Sequence, residues 1–353
     1  MNKILFYGEL PSTSSTHGIS ISNEINIEML SKNFQIHKVT EYIELSLHEK
    51  RNYIKLKKIL INLKAIAINI NKKNIDYFYL VFSISLFGAV KTLSAIIIAK
   101  IFSPKTKHIL HIHRGDFLLF YRKNIFNRIL CEIIFILTDK VILLSNIQIE
   151  EVKSIIPLKK IFVLPNTLNV EYKFKLKKKK PSSKKKFVYI SNYIIEKGIL
   201  DLLDVFFNLD KNIFFLECYG MTKNDKIMTK ITTYLSNNIS INPPIFDINK
   251  FKTIHNSDCL ILPSWNEGQP IVLLEAMQQG TPIIASRVGL IPDLLGENYP
   301  FLFETKNKKN LKETINNFIH YDNIEDISIY LKERYYKYYC QKIHKEKLFK
   351  IFS

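Results

Sequence analysis

The chain has 353 residues, of which 47% are hydrophobic, and it carries a formal net charge of +19 at pH 7. This length predicts two domains, and the hydrophobic fraction is typical of packed cores, which excludes a disordered chain. The positive charge favours either an acidic partner surface, such as anionic lipid or nucleic acid, or lysine spread over a solvated exterior. Because the sequence has neither zinc-finger spacing nor an aromatic RNA-binding strand, we predict no nucleic-acid partner.

The cysteines lie far apart in the sequence, so neither a metal site nor a disulfide framework is predicted. Reduced thiols are typical of a cytosolic protein. The first apolar run, residues 1–8, is too short for a signal peptide. Charged residues interrupt the apolar helices that we predict near residues 87–102 and 125–137, so these fall short of a membrane span. We therefore expect a cytoplasmic chain that at most lies on the inner face of a membrane.

Predicted strands and helices alternate along the first half of the chain. The predicted strands cover residues 3–7, 36–40, 77–82, 108–113, 140–144 and 161–164. Helices are predicted over residues 18–32 and 47–70, in addition to the two apolar helices. Strands that are separated by helices are typical of a parallel, doubly wound sheet, so we predict an α/β fold for this half.

The loop of residues 8–20 follows the first predicted strand, where such a sheet has its nucleotide-binding turn. It lacks the Gly-x-Gly-x-x-Gly pattern, so no dinucleotide site is predicted. Its serine and threonine residues are also typical of helix caps, which is the structural alternative to a binding role.

The helix predicted over residues 53–70 interleaves lysines with isoleucines and leucines. One interpretation is a basic amphipathic face that rests on anionic lipid, where a lipid-linked acceptor would lie. The other is an ordinary helix that faces the core and holds its lysines in solvent.

Two histidines, His111 and His113, end another predicted strand. Alternate positions on a strand point to the same side, so a metal pair has to be considered. Because no third ligand with convincing spacing accompanies them, we predict no metal site.

A lysine-rich segment, residues 173–186, is too charged to be buried. We therefore predict an N-terminal domain over residues 1–170, a basic linker or exposed loop over 171–186, and a C-terminal domain over 187–330. A helical pattern over residues 324–349 ends the chain.

The second half repeats the alternation, with strands predicted over residues 187–190 and 213–218 and helices over 198–209 and 225–235. Lys197 stands beside Gly198 at a predicted helix start, just beyond the first of these strands. A positive side chain at this position suits a diphosphate, and a solvated surface lysine is the alternative.

The most informative stretch is residues 257–293. Cys259–Leu262 is a short apolar run, typical of a buried parallel strand, and a polar loop and a helix that begins near Pro270 follow it. Glu267 lies in the loop and Glu275 in the helix. Their carboxylates can accept hydrogen bonds from sugar hydroxyls, and a helix N-terminus approached closely at Gly268 suits a diphosphate. We therefore predict a site for a phosphate-linked sugar.

This stretch resembles the signature of the retaining glycosyltransferases of the large group 1 family, also called family four, through the run Pro-Ser-Trp-Asn-Glu-Gly-Gln-Pro-Ile-Val-Leu-Leu-Glu-Ala-Met at residues 263–277. The resemblance covers essentially the whole chain, and it is specific in the second half. It implies the GT-B architecture, in which two doubly wound, Rossmann-like domains face each other across a cleft. It also implies that the last helix, about 330–353, packs back on the N-terminal domain.

The resemblance assigns roles to individual residues. Glu267 would contact the donor sugar near the reacting carbon, His113 would lie close to that sugar, and Lys197 would stabilise the leaving diphosphate. His17 and Gly18 would border the cleft and help to contact acceptor and donor. The implied donor-binding residues are Glu275, which would bind the ribose, with Asn192, Gly268, Gln269, Pro270, Ile271 and Gly220.

Two positions depart from the family pattern. The family usually has an arginine where this chain has Asn192, and a glycine close to where it has Pro243 and Pro244. Phosphate binding would therefore depend more on Lys197 and on backbone amides.

The implied function is transfer of a sugar, with retention of configuration, from a UDP- or GDP-sugar to a hydroxyl of a glycan or lipid-linked acceptor in bacterial surface polysaccharide or lipopolysaccharide synthesis. No Asp-x-Asp occurs, so we expect neither a metal nor another cofactor. The alternatives are a synthase that acts on a soluble acceptor, a non-catalytic module that binds a partner or membrane through its basic surface, and a nucleic-acid-binding protein.

Overall fold

The computed structural model describes residues 1–11, 17–41, 51–172, 174 and 184–353, with the side chains of all but 51–56. Within these ranges the chain divides into two compact units. Unit 1 comprises Met1–Thr167 together with Gln341–Ser353, and unit 2 comprises Leu168–Cys340. The middle of the loop predicted over residues 8–20, the predicted helix start at 47–50 and most of the predicted linker over 171–186 lie outside the described residues.

Unit 1 is built on a six-stranded sheet whose described strands all pair in parallel. Its strands are β1 (Lys3–Gly8), β2 (Gln35–Thr40), β3 (Tyr77–Val81), β4 (Lys107–His111), β5 (Lys140–Leu143) and β6 (Ile161–Val163). Its helices are α1 (Gly18–Leu30), α2 (Arg51–Lys73), α3 (Leu86–Phe102), α4 (Phe117–Arg122), α5 (Ile125–Leu137), α6 (Ile147–Val152) and the last helix of the chain, α14 (Gln341–Ile351). The strand order is β2-β1-β3-β4-β5-β6, so it reverses between β1 and β3.

Both faces of this sheet are covered, and the alternation of side chains along each strand explains why. In β3, Phe78 and Leu80 belong to the core that α2, α3 and α5 cover. Tyr77 and Tyr79 point to the opposite face, where the core includes side chains of α1 and α14. A strand buried on both faces needs a continuous apolar run, as the sequence of β3 provides.

Unit 2 is built on a second six-stranded parallel sheet, with the order β12-β11-β10-β7-β8-β9 among its described strands. The strands are β7 (Lys185–Ile190), β8 (Phe214–Tyr219), β9 (Ile239–Asn242), β10 (Cys259–Leu262), β11 (Ile283–Ser286) and β12 (Leu302–Phe303). The helices are α7 (Ile199–Phe207), α8 (Asp225–Thr232), α9 (Asp247–Asn256), α10 (Ile271–Gln279), α11 (Ile291–Leu295), α12 (Lys308–Ile319) and α13 (Ile324–Tyr338).

The predicted α/β class and the two doubly wound sheets are confirmed, and β10 has the predicted bounds. Two details of the prediction were wrong. Pro270 is the N-cap of α10 rather than its first helical residue, because its ψ of 125° is extended. Strand β7 begins at Lys185, two residues before the predicted strand, because the Lys186 backbone N–H donates to Asp258 and its side chain pairs with Glu217.

The single helical segment predicted over residues 324–349 was also wrong. The structure has two helices there, α13 and α14, with a break at Tyr339 and Cys340. The apolar residues of α13, such as Leu331, belong to the core of unit 2, whereas Leu348 of α14 belongs to a core of unit 1. One apolar pattern therefore serves two separate cores. Within the described residues, no helix combines the length and the apolarity that crossing a membrane requires.

Candidate functional site

The candidate site of unit 2 lies at the carboxyl ends of β7 and β10. These two strands are neighbours, and the strand order of the sheet reverses between them. Parallel α/β sheets bind ligands at such a reversal, because the loops that follow the two strands diverge to opposite faces. The loop after β7 covers residues 191–198, and the loop after β10 covers residues 263–270. Together they contain most of the site residues predicted in unit 2.

Lys197 and Glu267, the two residues predicted to carry the chemistry in this unit, form an ion pair. The ammonium nitrogen of Lys197 donates to Oε1 of Glu267 at 2.7 Å. The Glu267 side chain is 10% exposed and that of Lys197 is 29% exposed, so both charges remain open to a ligand. The pair holds an anionic acceptor for hydroxyl groups beside a cation that can meet a phosphate.

Two glycines fix the loop that carries Glu267. Gly289 has a φ of +53°, and a Cβ at this position would lie 1.8 Å from the carbonyl oxygen of Glu267. Gly198 has a φ of +69°, and its Cβ would lie 2.0 Å from the carbonyl oxygen of Pro263. No other residue type fits either place without a shift of the backbone. The loops after β7, β10 and β11 therefore pack backbone to backbone around Glu267.

Glu275, on α10, is held by a lysine that the sequence analysis missed. The ammonium of Lys250, on α9, donates to Oε1 of Glu275 at 2.7 Å and lies 2.6 Å from Oε2. Burial raises the pKa of the Glu275 carboxyl, and Lys250 opposes that shift. No pattern in the sequence predicts this pair, because Lys250 lies in a polar helix whose lysines all resemble solvated ones.

The other predicted donor-binding residues of unit 2 lie in the loops after β7, β8 and β10 and at the start of α10. Asn192 is exposed, and its carbonyl oxygen accepts a hydrogen bond of 3.2 Å from the Tyr189 hydroxyl. A Cβ at Gly220 would lie 2.0 Å from the carbonyl oxygen of Ser191, so the loop after β8 packs against the loop after β7. The residues that lead into α10 are Gly268, Gln269, Pro270 and Ile271, of which Gln269 and Ile271 are buried.

Trp265, the single tryptophan of the chain, ties the loop after β10 to its neighbours. Its backbone N–H donates to the carbonyl of Glu196 at 2.8 Å, and its indole N–H donates to Asp201 at 2.9 Å. The ammonium of Lys306 lies 4.5 Å from the centre of the tryptophan ring system. These contacts hold the loops after β7 and β10 together, so Lys197 and Glu267 keep their relative positions.

In unit 1, His113 is joined to His17 through two intermediate residues. The Nε2–H of His113 donates to Oδ1 of Asn23 at 2.9 Å, and the Asn23 amide donates to the carbonyl of Glu9 at 2.8 Å. The Glu9 carboxylate lies 2.8 Å from Nε2 of His17. The structure thus connects two predicted residues through Asn23 and Glu9, which the sequence analysis did not identify.

Burial lowers the pKa of His113 to about 3, so its ring is neutral. Its Nδ1 is buried and has no hydrogen-bond partner within the described part of the chain. Gly18, which follows His17, is exposed at the first position of α1.

His111 is a core histidine. It is 1% exposed, and its Nδ1 lies 2.7 Å from the Tyr79 hydroxyl. Its ring lies 3.7 Å from that of His113. Among the residues that the structure describes, no group of three or more His, Cys, Asp or Glu side chains is placed to hold a metal ion.

Comparisons with known proteins show what this chain is similar to. Residues 170–334 match the sequence model of the family Glycosyl transferases group 1, and this range lies within unit 2. Over 64 residues, 18% of this chain, the sequence is 34% identical to TuaC of Bacillus subtilis, a protein named as a teichuronic acid biosynthesis glycosyltransferase. That match spans 16% of the length of TuaC.

The fold is also similar to solved structures over its whole length. Sucrose-phosphate synthase (tll1590) from Thermosynechococcus elongatus superposes with a TM-score of 0.76 at 13% identity, over 99% of this chain and 98% of the other. Anabaena Alr3699/HepE in complex with UDP and glucose superposes with a TM-score of 0.71 at 14% identity, over 100% and 99% of the two chains. Identities this low show a shared fold. The chain therefore has the GT-B fold, and residues 170–334 of its unit 2 match the model of the glycosyl transferase group 1 family.

Proposed function

We propose that this chain is a glycosyltransferase that moves a sugar, with retention of configuration and without a metal, from a nucleoside diphosphate sugar to a hydroxyl of a glycan or lipid-linked acceptor. The observation that carries the proposal is the Lys197–Glu267 pair at the strand-order reversal of unit 2. The family match of the same unit supports the reaction class. UDP in the complex of the Anabaena protein supports a nucleotide-sugar donor for this chain.

In the proposed reaction, the bond between the anomeric carbon and the leaving diphosphate oxygen breaks, and the electron pair goes to that oxygen. Lys197 is placed to stabilise the growing negative charge, together with the backbone N–H groups at the start of α10. The Glu267 carboxylate would accept hydrogen bonds from the sugar hydroxyls while the ring gains oxocarbenium character. The acceptor hydroxyl oxygen forms the new bond to the anomeric carbon on the same face, and its proton goes to the departing diphosphate oxygen.

The remaining predicted residues have supporting roles in this proposal. Glu275 would accept hydrogen bonds from the ribose hydroxyls, and Lys250 would keep its carboxylate ionised. For His113, His17 and Gly18 we retain the contacts with donor sugar and acceptor that the family resemblance implies. The name of the Bacillus subtilis relative supports an acceptor of the surface polysaccharide class. A place on the cytoplasmic side of the membrane stays a prediction from the sequence.

Ligand-dependent thermal stability tests the donor site. The full chain is unfolded in the presence of UDP, GDP, ADP or CMP, with and without magnesium. A ligand at one hundred times its dissociation constant stabilises by about 2.7 kcal/mol, which is readily measured. We expect a shift with one diphosphate that is independent of magnesium, and the loss of most of that shift in Lys197→Met. Equal shifts in Lys197→Met and in the native chain would contradict the role of Lys197.

A second candidate function is a non-catalytic module of the same fold. It is favoured by one observation, namely that Lys250 already engages the carboxylate proposed to bind ribose. This candidate predicts no stabilisation by any nucleoside diphosphate. If a diphosphate does bind, NMR of the sugar product distinguishes the reaction classes, because a retaining transferase conserves the anomeric configuration of the donor.

A further inference from the structure

Three helices of unit 1 form one layer over the sheet. Helix α3 packs against both α2 and α5, and all three turn apolar side chains into the same core. Ile66, Ile96 and Ile134 are the inward-facing examples, one from each helix, and all are fully buried. A soluble helix of this kind normally carries polar residues on its opposite side. The outward side of this layer does not follow that rule.

The outward side of α5 is an apolar stripe. Phe126, Ile129, Ile133 and Ile136 recur at helical spacing, and they are 73%, 49%, 39% and 74% exposed. Scattered exposed apolar residues are normal, whereas a continuous stripe marks an interaction surface.

The outward side of α3 continues this surface. Val90, Ile97 and Ile101 are 48%, 43% and 69% exposed. The one polar residue at this spacing, Ser94, turns its hydroxyl to the carbonyl of Val90 at 2.9 Å, so its donor is satisfied within the helix. The stripes of α3 and α5 belong to neighbouring helices. Together we call them the apolar face.

Basic residues border the apolar face. The outward side of α2, next to α3, interleaves exposed Leu60 and Ile61 with exposed Lys57 and Lys64. The sequences of α2, α3 and α5 contain ten Lys or Arg residues and one acid, which gives 10 − 1 = +9. That acid, Glu132, pairs with Arg128 at 3.0 Å. The charge of this layer is therefore complementary to an anionic surface.

We propose that the apolar face of α3 and α5, with the lysines of α2 at its border, binds the surface of an anionic phospholipid membrane. Lysine is depleted at protein–protein interfaces, where aromatic residues, methionine and arginine are enriched, whereas the apolar face has one aromatic side chain, Phe126, and lysines at its border. Aliphatic and phenylalanine side chains beside lysine are typical of helices that lie in the lipid interface. These features favour lipid over a protein partner.

This inference deepens the proposed function and rests on it in one respect, since a membrane-bound unit 1 is where a lipid-linked acceptor would be found. It also relocates the lipid contact. One of the two interpretations of the helix predicted over residues 53–70 was a lipid contact, whereas the exposed apolar stripes lie on α3 and α5. Helix α2 supplies charge at the border.

Co-sedimentation of the full chain with vesicles tests the proposal. One vesicle preparation contains phosphatidylcholine alone, and the other contains phosphatidylcholine with phosphatidylglycerol. We expect binding to the second preparation, with a dissociation constant at least tenfold higher for the double variant Phe126→Gln/Ile136→Gln. The variant Lys57→Gln/Lys64→Gln should lose several-fold in affinity, and the loss should shrink as salt is added, because salt screens exposed charges.

Matched controls change other exposed residues, which lie outside the apolar face and outside α2. Leu158→Gln/Leu235→Gln alters side chains that are 62% and 52% exposed, and Lys309→Gln/Lys312→Gln on α12 removes the same charge as the α2 variant. Both controls should bind vesicles as the native chain does. Equal losses in test and control variants, or equal binding to both vesicle preparations, would overturn the proposal. So would a dimer in light scattering that Phe126→Gln/Ile136→Gln abolishes, since a second protein would then cover the face.

Insertion is measured separately with an environment-sensitive fluorophore, in a Cys340→Ser background, on Ile136→Cys or on Leu235→Cys. Anionic vesicles should shift the emission to the blue only for the label at position 136, and an unchanged spectrum there contradicts the proposal. Stabilisation by nucleoside diphosphates is followed on the same proteins. Vesicle binding without nucleotide binding leaves the membrane surface standing and removes the proposed function, whereas the converse result does the opposite.

Discussion

The ammonium of Lys250 lies within 2.7 Å of both carboxylate oxygens of Glu275, although 25 positions separate the two residues in the sequence. The Glu275 side chain is 8% exposed, and an isolated carboxylate there would tend to be protonated. A protonated carboxyl accepts hydrogen bonds poorly, so Lys250 maintains the form that ribose hydroxyls need. The proposed donor site thus depends on a lysine outside the family signature.

Replacement of this lysine should destabilise unit 2 in a pH-dependent way. Lys250→Met leaves a buried carboxylate without its cation, which costs about 3 kcal/mol at neutral pH. Burial raises the pKa of Glu275, so this carboxyl takes up a proton more readily in the folded chain than in the unfolded chain. The penalty should therefore shrink as the pH falls towards that raised pKa. Chemical unfolding at several pH values measures this.

The matched control is Lys252→Met, which removes an exposed lysine from the same helix. It should change stability by no more than about 0.5 kcal/mol at any pH. In calorimetric titration, Lys250→Met should also lose affinity for the best diphosphate at neutral pH, and its difference from the native chain should shrink in acid, where the Glu275 carboxyl of both proteins is protonated. A pH-independent loss of stability would mean that Lys250 acts through packing alone.

Removal of the charge on Glu267 should affect turnover more than nucleotide binding. Glu267→Gln keeps the size of the side chain but weakens both its contact with Lys197 and its acceptance of hydrogen bonds from sugar hydroxyls. We expect kcat to fall by about 100-fold, with the affinity for the nucleoside diphosphate nearly unchanged. Glu313→Gln, an exposed acid on α12, is the control and should retain full activity. Normal turnover in Glu267→Gln would remove this residue from the mechanism.

A methyl group at Gly289 should move Glu267. In Gly289→Ala the new Cβ would meet the carbonyl oxygen of Glu267 at 1.8 Å, and the φ of +53° is itself unfavourable for alanine. The loss of stability should be about 1–3 kcal/mol. Gly280→Ala, with a φ of +68° at the end of α10 and its nearest contacts with Lys332 and Ser328, is the control for strain away from Glu267. Steady-state kinetics on folded protein should show reduced kcat only in Gly289→Ala.

Buried histidines should make the protein sensitive to acid. Burial lowers the pKa of His344 to about 4 and that of His113 to about 3, from an ordinary value of 6.5. The unfolded chain therefore binds more protons at mildly acidic pH, so stability is full above pH 6.5 and falls as the pH decreases towards these folded values. Thermal unfolding across this range should show the decline.

His344→Gln should decline less steeply with acid, because one titrating group is gone. In the native chain both ring nitrogens of His344 face oxygen atoms, Nδ1 the carbonyl of Pro165 at 2.7 Å and Nε2 the Oδ1 of Asn26 at 2.6 Å, and a neutral ring donates to one of them. The stability of His320→Gln, which changes an exposed position, should decline with acid as steeply as that of the native chain. Identical slopes in all three proteins would show that His344 does not contribute.

Local patterns predicted those parts of the fold in which one element decides its own structure. Cys259–Leu262 has the predicted bounds because a short apolar run between Asp258 and Pro263 has few alternatives. The two-residue strand β12 (Leu302–Phe303) was not predicted, because so short a strand has no period of its own and is defined by its pairing with β11.

The candidate site shows the same division. The signature includes Glu267 and Glu275, so the resemblance identified them. Their partners depend on the tertiary fold. Asn23 reaches His113 across 90 positions, and Lys250 resembles a solvated lysine in the sequence. Gly289 lies in the stretch of residues 257–293 that resembles the family, but its closeness to the Glu267 carbonyl depends on the pairing of β10 with β11.

The assignment of α14 to unit 1 has a consequence for biosynthesis. Leu348, Ile351 and Phe352 complete a core whose other members come from residues 1–167, so the ribosome must make all of unit 2 before that core can close. Unit 2 is one uninterrupted segment and can fold as soon as it emerges. The half that is translated first is therefore the half that finishes last. Until α14 has been made, the apolar side chains of that unit 1 core stay exposed, and chaperones can bind them.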